Sequence, residues 1–236
     1  MLKLSDSIDF RRSLTGVGLI LSATFQLAAT LVDPGTWGDD REAVSFGQNP
    51  ALAQVESALY HWSWVLLPLA AIGLLHVLRK RAVILGHIAG VVTALGFVNL
   101  AGLLMSDPID WWLGQHYPAE QATKISEEIF SLPGLVFTWQ IPWVFFPPLG
   151  VILLLVALWR GGFAHWWLPV AGAVAWLSPY ALPYGPLALI WSGGNLVVFG
   201  YLGVKVLRMG NERWASYYPA STPGRTTPDS YANTTA

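Results

Sequence analysis

The chain has 236 residues, of which 54% are hydrophobic and only 11% charged; its formal net charge is -1 and it contains no cysteine. A soluble domain carries about 25% charged residues, so much of this surface faces something other than water, and the balanced charge excludes a basic field for nucleic acid. The lack of cysteine excludes disulfides, thiolate metal sites and cysteine nucleophiles.

Long runs free of Asp, Glu, Lys and Arg mark the elements in chain order. A helix needs about 20 residues to cross roughly 30 Å of hydrocarbon. The first run gives a span at 13–32, which reads as a retained helix because no small-x-small cleavage site precedes Asp33-Pro34. The second and third give spans at 57–78 and 82–106. A fourth, beyond Pro133-Gly134, gives 135–159. The last, 161–204, is too long for one crossing, and three prolines between Ser178 and Pro186 interrupt it. It divides into spans at 165–180 and 186–206. The expected architecture is an all-α polytopic bundle of six transmembrane helices over residues 1–209. A tail at 210–236, rich in Ser, Thr, Pro and Tyr, is expected to be disordered and cytoplasmic.

The loops agree with that count. Lys3, Arg11, Arg12, Arg79, Lys80, Arg81, Arg160, Lys205 and Arg208 fall on one side. The other side holds only Arg41 and Lys124 among cations, with Asp33, Asp39, Asp40, Glu42, Glu56, Asp107, Asp110, Glu120, Glu127 and Glu128. The positive-inside rule places the first set, and with it both termini, in the cytoplasm of a plasma membrane.

Small residues suggest how such helices associate. Gly86, Gly90 and Ala94 form a stripe spaced by four, and Gly193, Gly194, Gly200 and Gly203 lie in the last helix; each set serves an intramolecular seam or a homodimer. Trp111, Trp112, Trp159, Trp166 and Trp167 sit near expected membrane–water boundaries, where tryptophan anchors. Trp139, Trp143, Trp176 and Trp191 lie deeper, either lining an aromatic cavity or packing against lipid and neighbours.

A polar side chain within a span needs a partner or a purpose. Gln26, His61, Asn99, Thr138, Gln140, Ser192 and Asn195 all fall in the outer halves or middles of their helices. This asymmetry points to an outward-facing pocket lined by Gln26, Asn99, Gln140, Trp139, Trp143, Trp191 and Asn195. The loops 33–56 and 106–134 would cover it, with the acidic amphipathic stretch from Pro118 to Ile129 lying at the interface. The alternative is that these groups bond one another as interhelical ties. Glu56, His61 and Asp107 are the candidate acid–base residues, although the spacing of five between Glu56 and His61 is imperfect for one helical face. His76 and His87 flank a tight basic turn, a poor arrangement for haem. No converging set of metal ligands is evident. The phosphate-binding glycine loop, His-Glu-x-x-His and Gly-x-Ser-x-Gly are absent, so neither cofactor nor metal is expected.

Phe10-Arg11-Arg12 before a Gly-rich first helix, Val32-Asp33-Pro34 at its far end, Glu56 and His61 opening the second helix, His76-Val77-Leu78-Arg79 closing it, Gly86-His87, Asp107, and Ala157-Leu158-Trp159-Arg160 form a pattern over residues 10–160. In this the chain resembles an uncharacterised family of small multi-pass membrane proteins from high-GC Gram-positive bacteria. The resemblance implies topology and location and adds no mechanism; the Trp-rich later helices match it less well. The functions expected are binding of a membrane lipid or small amphipathic ligand, or of a membrane protein partner, through the outer pocket. The alternatives are a membrane-embedded enzyme acting on a lipid or isoprenoid (terpene-cyclase-like or a transferase) and a small transporter subunit.

Overall fold

The structure is a computed structural model that describes residues 6–38, 42–78, 82–182 and 185–215. The expected roles of Arg41, of the Arg79-Lys80-Arg81 turn, of Pro183 and of the tail beyond residue 215 lie outside the described residues. Those residues are predominantly helical, and no strand occurs among them.

The first long helix, α1, runs Ser7–Val32. The Asp6 carboxylate caps it, accepting from the amides of Ile8 and Asp9. It stops where Pro34 forces Asp33 into extended backbone. Two short helices follow, α2 (Pro34–Trp37) and α3 (Glu42–Gln48), and then α4 (Pro50–Leu74), which ends in a 3-10 turn at Leu75–Leu78. Next come α5 (Val83–Leu103), α6 (Ser106–His116), α7 (Ala119–Phe130) and the single turn α8 (Pro133–Leu135). A π-turn at Val136–Gln140 leads into α9 (Ile141–Arg160). The chain closes with α10 (Trp167–Leu177), α11 (Leu189–Leu207) and α12 (Asn211–Ala215).

Five segments are long and apolar enough to cross a membrane: Ser7–Val32, Pro50–Leu78, Val83–His116, Pro133–Arg160 and Gly185–Leu207. Their outward side chains are apolar: Leu69, Ile84, Val91, Val98 and Phe145 are all more than half exposed, as expected where the solvent is lipid. The expected span at 165–180 is the exception. α10 has 11 residues, about 16 Å at 1.5 Å per residue, and Ser178-Pro179-Tyr180 continues it only as a 3-10 turn.

Close backbone approach holds the bundle together. α1 packs along α4 through reciprocal serines: Ser22 Oγ donates to the Ser63 carbonyl at 2.9 Å and Ser63 Oγ to the Ser22 carbonyl at 2.8 Å. α1 meets α11 where Gly16 and Gly203 cross. α5 meets α9 where Gly96 sits on the Phe146-Pro147 backbone: a Cβ there would come within 2.5 Å of the Pro147 nitrogen. Gly86 and Gly90 face Leu78 and Leu75, so that stripe packs within the chain.

The first and last described segments lie at one end of the bundle. Arg12 donates to the Leu207 carbonyl and the Asn211 side chain, both at 2.8 Å, and to Asp9 at 2.7 Å. Trp214 is buried and stacks on His76, whose Nε2 lies 2.9 Å from its carbonyl. Residues 211–215, assigned to a disordered tail from the sequence, therefore form a docked helix, because Trp214 gains a buried aromatic contact.

The opposite end carries a cap. Ala43 of α3, Leu113 of α6 and Ala122 of α7 form a small hydrophobic cluster separate from the main core. Gly47 and Gly114 let α3 and α6 touch backbone to backbone; a Cβ on Gly114 would overlap the Ala43 carbonyl.

Candidate functional site

Beneath the cap lies a cavity of about 610 Å³, within the size range of small-molecule sites. Its lining changes character with depth. On α4, Glu56, Tyr60 and Trp64 all face it, spaced by four and so stacked on one helical face. Glu56 sits in the second turn, and Trp64 lies about 12 Å further along the helix. Polar groups come from the capped end: Asp33, Thr36, Ser106, Asp107, Asp110 and Ser126. Trp143, Trp176 and Trp191 come from the bundle helices.

The carboxylates are buried, at 4% exposure for Glu56, 8% for Asp107 and 2% for Asp110. Hydroxyls and amides hold them. Ser57 Oγ donates to Asp107 at 2.6 Å and lies 3.3 Å from a Glu56 oxygen. Ser106 reaches the other Asp107 oxygen at 3.1 Å, and Ser126 donates to Asp110 at 2.6 Å. Asp33 accepts from the Gly35 amide and the Thr36 hydroxyl, both at 2.7 Å. Burial pushes the Asp33 carboxyl above its ordinary value, and these hydrogen bonds offset that only in part. Among the described residues, no Lys, Arg or His lines the cavity. Nor do three His, Asp or Glu side chains among them converge closely enough to hold a metal ion.

The aromatic wall is a connected set. Tyr60 stacks on Trp64 at 5.0 Å and on Trp191 at 5.8 Å, and Trp191 meets Trp176 edge-on at 6.0 Å. The Tyr60 hydroxyl lies 3.0 Å from that of Thr30. Gln140, in the π-turn, donates to the Phe130 carbonyl at 2.6 Å and so ties α9 to the end of α7.

Of the expected site residues, Glu56, Asp107, Gln140, Trp143 and Trp191 line this cavity. The others do not. His61 is exposed on the outside of α4: five residues from Glu56 is about 140° around the helix, so the two cannot share a face, and the expected acid–base trio does not converge. Trp139 is 43% exposed, turned outward on the π-turn. Asn99 donates to the Leu95 carbonyl of its own helix at 2.7 Å. Gln26 and Asn195 are fully buried but outside the cavity lining. Asp33, Tyr60, Trp64, Asp110 and Ser126 join the site without having been assigned to it from the sequence, and Trp176, one of the deeper tryptophans left between cavity lining and packing, lines it. For Tyr60 and Trp64 the signal was their spacing of four and eight from Glu56.

Comparison with protein-family models, with curated proteins and with solved structures finds no match.

Proposed function

We propose that the protein crosses a bacterial plasma membrane six times, with both ends in the cytoplasm and the cap outside, and that its capped cavity binds a lipid or small amphipathic ligand. The polarity gradient of the cavity carries this reading: hydrogen-bonded carboxylates under the cap, and a continuous aromatic wall toward the bundle. A molecule with a polar head and an apolar body matches both halves at once. The sixth crossing is assigned to α10 with its 3-10 extension. It is short, yet α9 and α11 both end at the basic end of the bundle, as the contacts of Gly161 with Leu78 and of Leu207 with Arg12 show. Under this reading the chain between them travels out and back.

The test is native mass spectrometry with lipid extraction on the purified protein. Enrichment of one lipid or amphiphile over the bulk membrane composition supports the binding reading. Bulk composition alone overturns it and favours a protein partner on the cap. A second reading, an enzyme acting on a lipid or isoprenoid, is favoured by one observation: Glu56 and Asp107 flank the same Ser57 hydroxyl inside the cavity. Turnover of a retained isoprenoid, abolished by Glu56→Gln and Asp107→Asn while retention persists, would select it.

A further inference from the structure

Two independent features of the cavity specify its occupant more closely than "amphipathic". The first is charge. Asp33, Asp107 and Asp110 all face the cavity, and their hydrogen bonds come from neutral hydroxyl and amide groups. An anionic head group would meet three carboxylates there, whereas an ammonium would satisfy them. The separation of the carboxylates argues against a bare metal ion, since no three of them among the described residues draw together as ligands.

The second feature is a surplus of donors deeper in. Trp64, Trp143, Trp176 and Trp191 all line the cavity, and the indole N–H of each lacks an acceptor among the described residues. Trp64 and Trp176 are more than nine-tenths buried, at 8% and 5% exposure. A buried donor without an acceptor is costly, and four around one cavity call for acceptor oxygens from an occupant.

Resting on the binding reading above, we infer that the cavity takes an ammonium-bearing amphiphile whose head lies against Asp33, Asp107 and Asp110 and whose ester, carbonyl or ether oxygens lie among the indole N–H groups. Such a molecule is either an amine-headed membrane lipid or a soluble acylated amine; the recognition chemistry is the same.

The experiment compares probes of one chain length on the full chain in a neutral maltoside detergent, following tryptophan fluorescence and melting temperature. The probes are octanoylcholine, octyltrimethylammonium, octanoate and octyl glucoside. Both cationic probes are expected to bind about tenfold or more tighter than octyl glucoside, with octanoate weakest. Octanoylcholine, which alone among the cations carries ester oxygens, is expected to bind tighter than octyltrimethylammonium, and Trp176→Phe or Trp191→Phe should erase that difference. Asp107→Asn combined with Asp110→Asn should erase the cation preference, with octyl glucoside binding retained as the control for folding.

Equal affinity for cationic, neutral and anionic probes overturns this inference and leaves the amphiphile-binding reading standing. Preference for octanoate overturns it as well. No binding by any probe sinks both. Nanodiscs containing phosphatidylethanolamine separate the two sources: a retained amine lipid in native mass spectrometry assigns the membrane, and octanoylcholine binding without such retention assigns a soluble ligand.

Discussion

Asp33 ends α1 with its extended backbone and caps α2 with its carboxylate, and burial makes that charge costly. Its folded-state value is raised above the ordinary 3.8. The folded protein therefore holds the proton to higher pH than the unfolded chain does. As pH climbs from about 4 through the raised value, the folded state loses stability relative to the unfolded state. Asp33→Asn keeps one oxygen to accept from the Gly35 amide, turns an NH2 that can donate to the Thr36 hydroxyl in place of the second oxygen, and removes the charge. The variant is expected to melt above the wild type at pH 7 and together with it at pH 4, by scanning fluorimetry in detergent. A wild type that melts higher at pH 7 would mean that the carboxylate charge is stabilising. At the same scale, Ser22 and Ser63 each donate to the other's carbonyl in a fully buried seam. Ser63→Ala should cost about 0.6 kcal/mol and at most about 1.7 kcal/mol, the span measured for hydrogen bonds between membrane helices. Equilibrium unfolding in mixed micelles reads that cost. The site was partly legible at this scale. Glu56, Asp107, Gln140, Trp143 and Trp191 were identifiable as polar or aromatic groups near the outer ends of apolar runs. His61 misled because a spacing of five looks close along the chain yet lies far around the helix. Asp33 and Asp110 read as ordinary loop acids because nothing in a single sequence tells that the cap folds over them.

Elements were legible wherever one physical signal dominated. The apolar runs of α1, α4, α5, α9 and α11 exceed what any soluble helix of this composition requires, and their ends fall where Asp-Pro, Asn-Pro and basic turns place them. α7 was legible as the amphipathic stretch from Pro118 to Ile129, whereas α3 and α6 were less so, since the cap cluster is small: Ala43, Leu113 and Ala122, with Ile109, Tyr117 and Ile125 packed against them. What fixes the cap is the backbone contact of Gly47 with Gly114, which leaves no periodicity to read. Gly114→Ala drives a methyl into the Ala43 carbonyl. Overpacking of this kind costs about 1–3 kcal/mol. Because the cap cluster is separate from the main core, that cost is expected to fall on the cap alone. Hydrogen exchange should accelerate in α3, α6 and α7 and stay unchanged in α1, α4 and α11. Uniform acceleration would show that cap and bundle unfold as one unit. Gly102→Ala, where an added Cβ meets nothing within 4 Å, is the matched control.

At the scale of the whole molecule, the proposed six crossings hinge on the shortest helix. A chain with five crossings would leave residues 7 and 212 on opposite sides of the membrane. The packing opposes that: Arg12 reaches Leu207 and Asn211, and Trp214 stacks on His76. For both to stand, α10 and the turn at Ser178–Tyr180 have to cover the distance with about 14 residues, fewer than the usual 20. Under the proposed six crossings the membrane would thin locally or the cap end would lie within the interface, where Trp166 and Trp167 at one end of α10 and Tyr180 at the other would anchor. The absence of cysteine makes the topology directly measurable. Single substitutions Ser7→Cys, Gln121→Cys and Glu212→Cys, all at exposed positions, give three probes with no background from the native chain. In intact bacterial cells, a membrane-impermeant maleimide should label Gln121→Cys on α7 and neither of the other two. Permeabilised cells should label all three. Labelling of Glu212→Cys but not Ser7→Cys in intact cells would reduce the crossings to an odd number, separate α12 from α1, and require α10 to turn back within one leaflet.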